Sequence, residues 1–240
     1  GISFRYPSTA EPDGGLQCLL QMLRASSSAE IDESMRGWVD PSNNFVFADV
    51  HGTIGYLNRG KLPVRSPANA WLPVPGWTGE HEWEGYVSFE ELPRYLNPQS
   101  GYIVTCNNRI VDEDYPHYIG LDFAPEFRPL RIAERLGAMR GASVQDMAAV
   151  HAESVSIPAV AFSRLLAGVP PADRYSAQAQ RVLAGWDGSM DRDAAAPAIY
   201  AAFRARLNRA LHRHNLGPLA EEAMTATGRG APFHLHRLEA

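Results

Sequence analysis

The sequence predicts an α+β fold, and three observations carry the prediction. Strand-like segments come first, at 45–50 and 102–106, and helical periodicity takes over after Arg128. Strand and helix do not alternate in the way a parallel βαβ sheet requires. The composition supports a packed core, since 45% of the 240 residues are hydrophobic, 10% aromatic and 20% charged. The expected division is a sheet-bearing core portion over 1–128 and a helical region over 129–240. The same numbers exclude a disordered chain, a collagen and a disulfide scaffold. A formal net charge of −5 marks no basic surface for nucleic acid or anionic membrane. No apolar run approaches the ~18 residues of a membrane span.

Each element has its own warrant. Ile2 to Tyr6 is β-branched and aromatic ahead of Pro7 and reads as a strand. Asp13 is a candidate N-cap for a helix to about Arg24, with Leu16, Leu19, Leu20 and Leu23 at helical spacing. Ser28 opens a short helix carrying Ile31 and Met35 toward Trp38. FVFADV, the turn pair His51-Gly52 and TIGYLNRG together predict a β-hairpin. The stretch 61–97 holds Pro63, Pro67, Pro73, Pro75 and Pro93, interleaved with Trp71, Trp77 and Trp83. Proline cannot donate to a ladder, so a long ordered loop is expected there. Tyr102 to Cys106 (YIVTC) reads as a compact strand ending in Asn107-Asn108. Beyond Arg128, helices are expected over 129–141, from Ser143 with Asp146 as a capping box, onward to Ala167 with Pro158 as an interruption, and from Asp193 with Pro197 to a stop at Gly217-Pro218.

Candidate chemistry is sparse. His212 and His214 lie two apart on a helix and point to different faces, so they cannot share an ion. His234 and His236 could share a strand face but lack an acidic third ligand nearby, and His81 lies between Glu80 and Glu82 as part of a solvated run. Asp112-Glu113-Asp114 lacks the alternating ligand spacing of a calcium loop and reads as a solvated turn. The nucleotide, nucleophile-elbow and zinc-protease motifs are absent. Cys18 and Cys106 cannot form a CxxC metal site, and a buried free thiol is expected for Cys106. Asn107 and Asn108, at the end of an apolar segment, could aim amide protons at a developing oxyanion. Equally, both could end the segment by bonding local backbone, and spacing alone favours that reading. Arg128 could orient such an amide or form an ordinary ion pair.

FVFADVHGTIGYLNRGKLPVR, LPVPGW, WEGYVSFEELP, NPQSGYIVTCNN, DYP and FRPLRIAERL stand in this order, and with the later VLAGWDGSMDRDAAAPAIY they resemble the penicillin acylase-type amidases, a family of N-terminal-nucleophile hydrolases. The resemblance runs from Ile2 to roughly Leu211. It implies part of an αββα sandwich followed by a mainly helical region. It also implies a mechanism in which an N-terminal Ser attacks an amide carbonyl, its own α-amino group acts as base, and an acyl-enzyme forms and is hydrolysed. By position, Asn107 resembles the oxyanion-hole Asn, with Asn108 as the fallback, and Arg128 the Arg that supports it. Asn43 falls where the family lines its acyl pocket. No cofactor is required; in members that bind structural calcium, a backbone carbonyl near Ala70 and a carboxylate after DYP take part, and Asp122 is the nearest acid here. The implied partners are a small-molecule acyl amide and the remaining α- and β-chain segments of the same precursor, in the periplasm or outside the cell. An N-terminal nucleophile must be Ser, Thr or Cys and the sequence begins with Gly1, so an internal piece of a β-subunit is expected, inactive alone. A non-catalytic module that keeps the fold without the nucleophile is the alternative.

Overall fold

The computed structural model describes residues 1–70 and 72–225, which fall into two compact units, Gly1–Pro129 and a second beginning at Leu130. The first unit opens on irregular backbone and the single turn α1 (Pro7–Ala10), followed by α2 (Gly15–Met22) and α3 (Ser28–Ser34). Next come the strands β1 (Asn43–Ala48), β2 (Ile54–Arg59) and β3 (Arg94–Leu96), which form one antiparallel sheet in the order β1-β2-β3. Helices with a small antiparallel sheet make the fold α+β, as the sequence predicts.

The hairpin is built from its turn outward. The Asp49 carboxylate accepts from the backbone N–H groups of His51 and Thr53 at 2.9 and 3.0 Å, which closes the turn. Its other oxygen accepts from the N–H of Ser28 at 3.0 Å and so ties the turn to the start of α3. These bonds hold the Asp49 carboxyl well below the usual carboxylate range. The register then pairs Asn44 with Asn58, Val46 with Tyr56 and Phe47 with Gly55. Because side chains alternate along a strand, Phe45, Phe47 and Leu57 share one face. That face packs with Cys18, Met35, Leu62, Val87 and Leu92 into the core of this unit. Leu57 is fully buried, and burying such a side chain contributes about 1.5–3 kcal/mol.

Three expectations change in this unit. Ile2 to Tyr6 is not a strand: Ile2 and Phe4 are 87% and 84% exposed, no described strand offers a ladder, and Pro7 starts α1. Tyr102 to Cys106 forms no ladder either, although its residues favour one. Strand propensity expresses fit to a paired, pleated surface, and β1 and β3 pair only with β2 here. The 61–97 stretch is not wholly loop, because β3 follows Pro93, whose carbonyl accepts from Asn58 N–H at 2.8 Å. A proline just ahead of an edge strand removes no ladder bond. Residue 71, the first Trp of that stretch, lies outside the described residues, as do His234 and His236. In α2 it is Cys18 that meets the core, while Leu16 and Leu23 are 67% and 77% exposed.

The second unit is helical. It takes up α4 (Phe127–Ala138), which begins at the end of the first unit, and continues through α5 (Val144–His151), α6 (Ile157–Ala167), α7 (Arg174–Leu183), α8 (Ala195–Leu216) and α9 (Ala220–Thr225). Ser143 and Asp146 form the expected capping box of α5. Pro158 does not interrupt a helix but lies in the first turn of α6, where its missing N–H costs nothing. Asp193 does not cap α8, whose N-cap is Ala194 with no side-chain cap bond; the Asp193 N–H donates to the Asp191 carboxylate. Gly217, at φ 52°, ends α8. The core joins Ala159, Leu183, Ala196 and Tyr200, flanked by Phe162, Trp186 and Phe203. No helix among the described residues is long and apolar enough to cross a membrane.

Two stability measurements follow. A Cβ at Gly55 would lie 2.3 Å from the Phe47 ring and 2.8 Å from Leu96 Cδ2, so Gly55→Ala is expected to cost about 1–3 kcal/mol in chemical denaturation. Since the Asp49 pKa is depressed in the fold, its contribution is present above the ordinary carboxylate value of about 4 and fades as the pH falls below it. Asp49→Asn is therefore expected to lower the thermal midpoint clearly at pH 7, with the gap narrowing progressively as the pH is taken below about 4, read by circular dichroism.

Candidate active site

Residues 105–108 are gripped from several directions. Asn107 has φ 62°, in the left-handed region that Asn tolerates better than other side-chain-bearing residues. This turn ends the apolar segment and lifts the Asn107 side chain into an exposed position. The backbone carbonyl of Asn107 accepts from Ala124 N–H at 2.8 Å. The Arg128 guanidinium, one residue into α4, donates through Nη2 to both the Cys106 carbonyl and Asn107 Oδ1, the latter at 3.2 Å. An amide whose oxygen is held by a cation has its orientation fixed: a flip would set NH₂ against the guanidinium. Asn107 Nδ2 is then the group left to donate outward, and among the described residues no hydrogen bond to a protein acceptor occupies it.

Asn108 is committed elsewhere. Its Oδ1 accepts from Cys106 N–H at 3.0 Å and its Nδ2 donates to the Arg109 carbonyl at 2.9 Å. Of the two readings left open by the sequence, local backbone satisfaction describes Asn108, whereas Asn107 keeps a directed donor. The structure thus brings together Asn107 and Arg128. It places Asn43 on the core-facing side of β1, where Oδ1 accepts from Arg59 Nε at 2.7 Å. Arg59 in turn lies over the Trp38 and Phe45 rings at 3.8 and 4.7 Å.

Asn44 and Thr105 escaped the sequence reading. Asn44 lies on the opposite face of β1, donates through Nδ2 to Thr105 Oγ1 at 2.5 Å, and accepts from the Tyr56 hydroxyl at 2.6 Å. Tyr56 is 1% exposed and stacks on Tyr95 at 4.9 Å; burial pushes both phenols up from their ordinary value. The signal in the sequence was an Asn at a strand position whose alternation faces away from the helices.

Ala70 ends a 3-10 turn that starts at Pro67, and Asp122 is exposed. Among the described residues no group of three His, Cys, Asp or Glu side chains gathers as a metal site. Asp112, Glu113 and Asp114 are exposed, His212 is buried with Nδ1 on the Asn208 carbonyl, and His214 is exposed. Cys18 and Cys106 are both buried free thiols.

A family model described as penicillin amidase matches residues 1–238. The chain is 41% identical over 214 residues to a penicillin acylase 2 proenzyme of Pseudomonas sp. (strain SE83), a match over 87% of this chain and 27% of that protein. It is 27% identical over 239 residues to the acyl-homoserine lactone acylase QuiP of Pseudomonas fluorescens (strain Pf0-1), over 94% of this chain and 29% of the relative. Among solved structures, a thermostable penicillin G acylase from Alcaligenes faecalis aligns at TM-score 0.67 and 27% identity, over 91% of this chain and 41% of that one. The chain therefore spans little more than a quarter of the length of these curated relatives.

Proposed function

Because the chain belongs to the penicillin amidase family, we propose that it supplies the oxyanion-stabilising part of an amidohydrolase that cleaves a small-molecule acyl amide. In this reading the nucleophile is an N-terminal Ser contributed by another segment of the same precursor. The observation that carries the proposal is the Arg128 guanidinium holding Asn107 Oδ1, which leaves Asn107 Nδ2 as a fixed outward donor.

The chemistry follows from that geometry. When the Ser hydroxyl adds to the amide carbonyl, its proton passes to the Ser α-amino group and negative charge collects on the former carbonyl oxygen. Asn107 Nδ2 donates to that oxygen, and because its orientation is already set, little reorganisation is required at the moment of reaction. Arg128, through Oδ1, polarises the amide and strengthens its N–H as a donor. Collapse of the adduct expels the amine, which takes the proton, and leaves an acyl-enzyme; water then attacks the ester by the same route. The amine would be a β-lactam nucleus or a homoserine lactone, as the names of the relatives suggest. Asn43 is proposed for the acyl pocket, with its amide tethered by Arg59. Calcium, where the whole protein binds it, would draw on the Ala70 carbonyl and the Asp122 carboxylate; every step above uses protein groups alone.

In the full-length enzyme, Asn107→Ala is expected to lower kcat by about 10²–10³ with KM little changed, measured on a chromogenic phenylacetyl amide. A change confined to KM would make Asn107 a binding residue and overturn the assignment. The 240-residue chain alone is expected to show no turnover of that substrate, and measurable hydrolysis would place the nucleophile within it.

A further inference from the structure

We propose that Asn44 is a positioning residue for Asn107, acting through Thr105; the inference rests on the reading of Asn107 as the oxyanion donor. Three features lead to it. First, the hairpin register leaves no freedom in where Asn44 points, since it pairs directly with Asn58 on the face away from the helices. Second, its amide is held at both ends. Oδ1 accepts from the Tyr56 hydroxyl at 2.6 Å and from Asn58 Nδ2 at 3.4 Å. Tyr56 is itself immobilised by burial and by the Tyr95 ring. Third, the remaining donor, Nδ2, reaches Thr105 Oγ1 at 2.5 Å, two residues before Asn107.

The consequence is geometric. The 102–106 segment has no ladder to hold it against the sheet, so the Asn44–Thr105 bond stands in for one. Arg128 and Ala124 hold Cys106 and Asn107 from the far side. Asn107 therefore hangs between two anchors, one on the sheet and one at α4. Loss of the sheet anchor lets the Asn107 turn drift toward α4 and moves Nδ2 away from the oxyanion position. A displacement near 1 Å at a reacting centre costs on the order of 10²-fold in rate.

The test uses the full-length, matured enzyme and the chromogenic phenylacetyl amide. Thr105→Val keeps the shape and removes the acceptor; Thr105→Ser keeps the acceptor; Thr105→Ala runs in parallel in case Val fails to fold. The expected result for Thr105→Val is a kcat lower by about 10- to 100-fold, with KM within about twofold and a thermal midpoint within a few degrees of the parent. Thr105→Ser should restore most of kcat. In the double variant Thr105→Val/Asn107→Ala, kcat should match Asn107→Ala alone, because Thr105 has nothing left to position. Unchanged kcat in both Thr105→Val and Thr105→Ala, or a double variant slower than Asn107→Ala by the full Thr105 factor, overturns the proposal while leaving the role of Asn107 intact. If Asn107→Ala itself retains kcat, the oxyanion reading falls and this inference falls with it.

Discussion

The register of the β1–β2 hairpin is the constraint on which the first unit depends. It places Phe45, Phe47 and Leu57 toward the helices and Asn44, Tyr56 and Asn58 away from them. A slip of one residue would exchange the two sets, put an amide and a phenol into the core, and leave aromatic rings on the other side. The Asp49 carboxylate resists such a slip from the turn end, and the close approach of Phe47 to Gly55 resists it from within the ladder. Core packing and the polar network behind the candidate site are thus two readouts of one alignment.

The polar side of the sheet and the Asn107 turn follow a common logic. In each amide that matters the oxygen is held by donors: the Arg128 guanidinium for Asn107, and the Tyr56 hydroxyl with Asn58 Nδ2 for Asn44. Orientation is thereby transmitted from the charged or buried group to the amide nitrogen. Asn108 shows the contrast, with both ends of its amide spent on neighbouring backbone. The difference between a residue that ends a segment and one that can act on a ligand lies in which end of the amide is free.

Much of this was legible in the sequence, and the remainder was hidden for physical reasons. The hairpin could be read because turn chemistry and two-residue alternation agree over 45–60. Asn107 and Arg128 stood out through their blocks of family-like sequence, though nothing in their spacing could decide between Asn107 and Asn108; the left-handed backbone and the Arg128 contact separate them. Ile2 to Tyr6 and Tyr102 to Cys106 misled because propensity reports what a residue would do in a ladder, not whether a partner strand is present. β3 was obscured by Pro93, and the Leu16/Leu23 side of α2 looked like a core stripe although Cys18 is what the core receives. Asn44 could not be told from Asn43 by residue type, and only the hairpin register, which sets their side chains on opposite faces, distinguishes them.

The left-handed backbone at position 107 narrows the side chains this turn can accommodate. Glycine would relax the conformation but bring no amide; glutamine would bring the amide on a longer, freer stem and strain the backbone; aspartate would tolerate the turn and present an acceptor where the proposed role calls for a donor. Under the proposed role, asparagine meets both demands at position 107, a side chain that tolerates the left-handed turn and an amide that donates outward. In that role the neighbours carry the looser constraint: a threonine at 105 can become a serine and keep its hydroxyl, while position 107 must satisfy a backbone conformation and a donor at once.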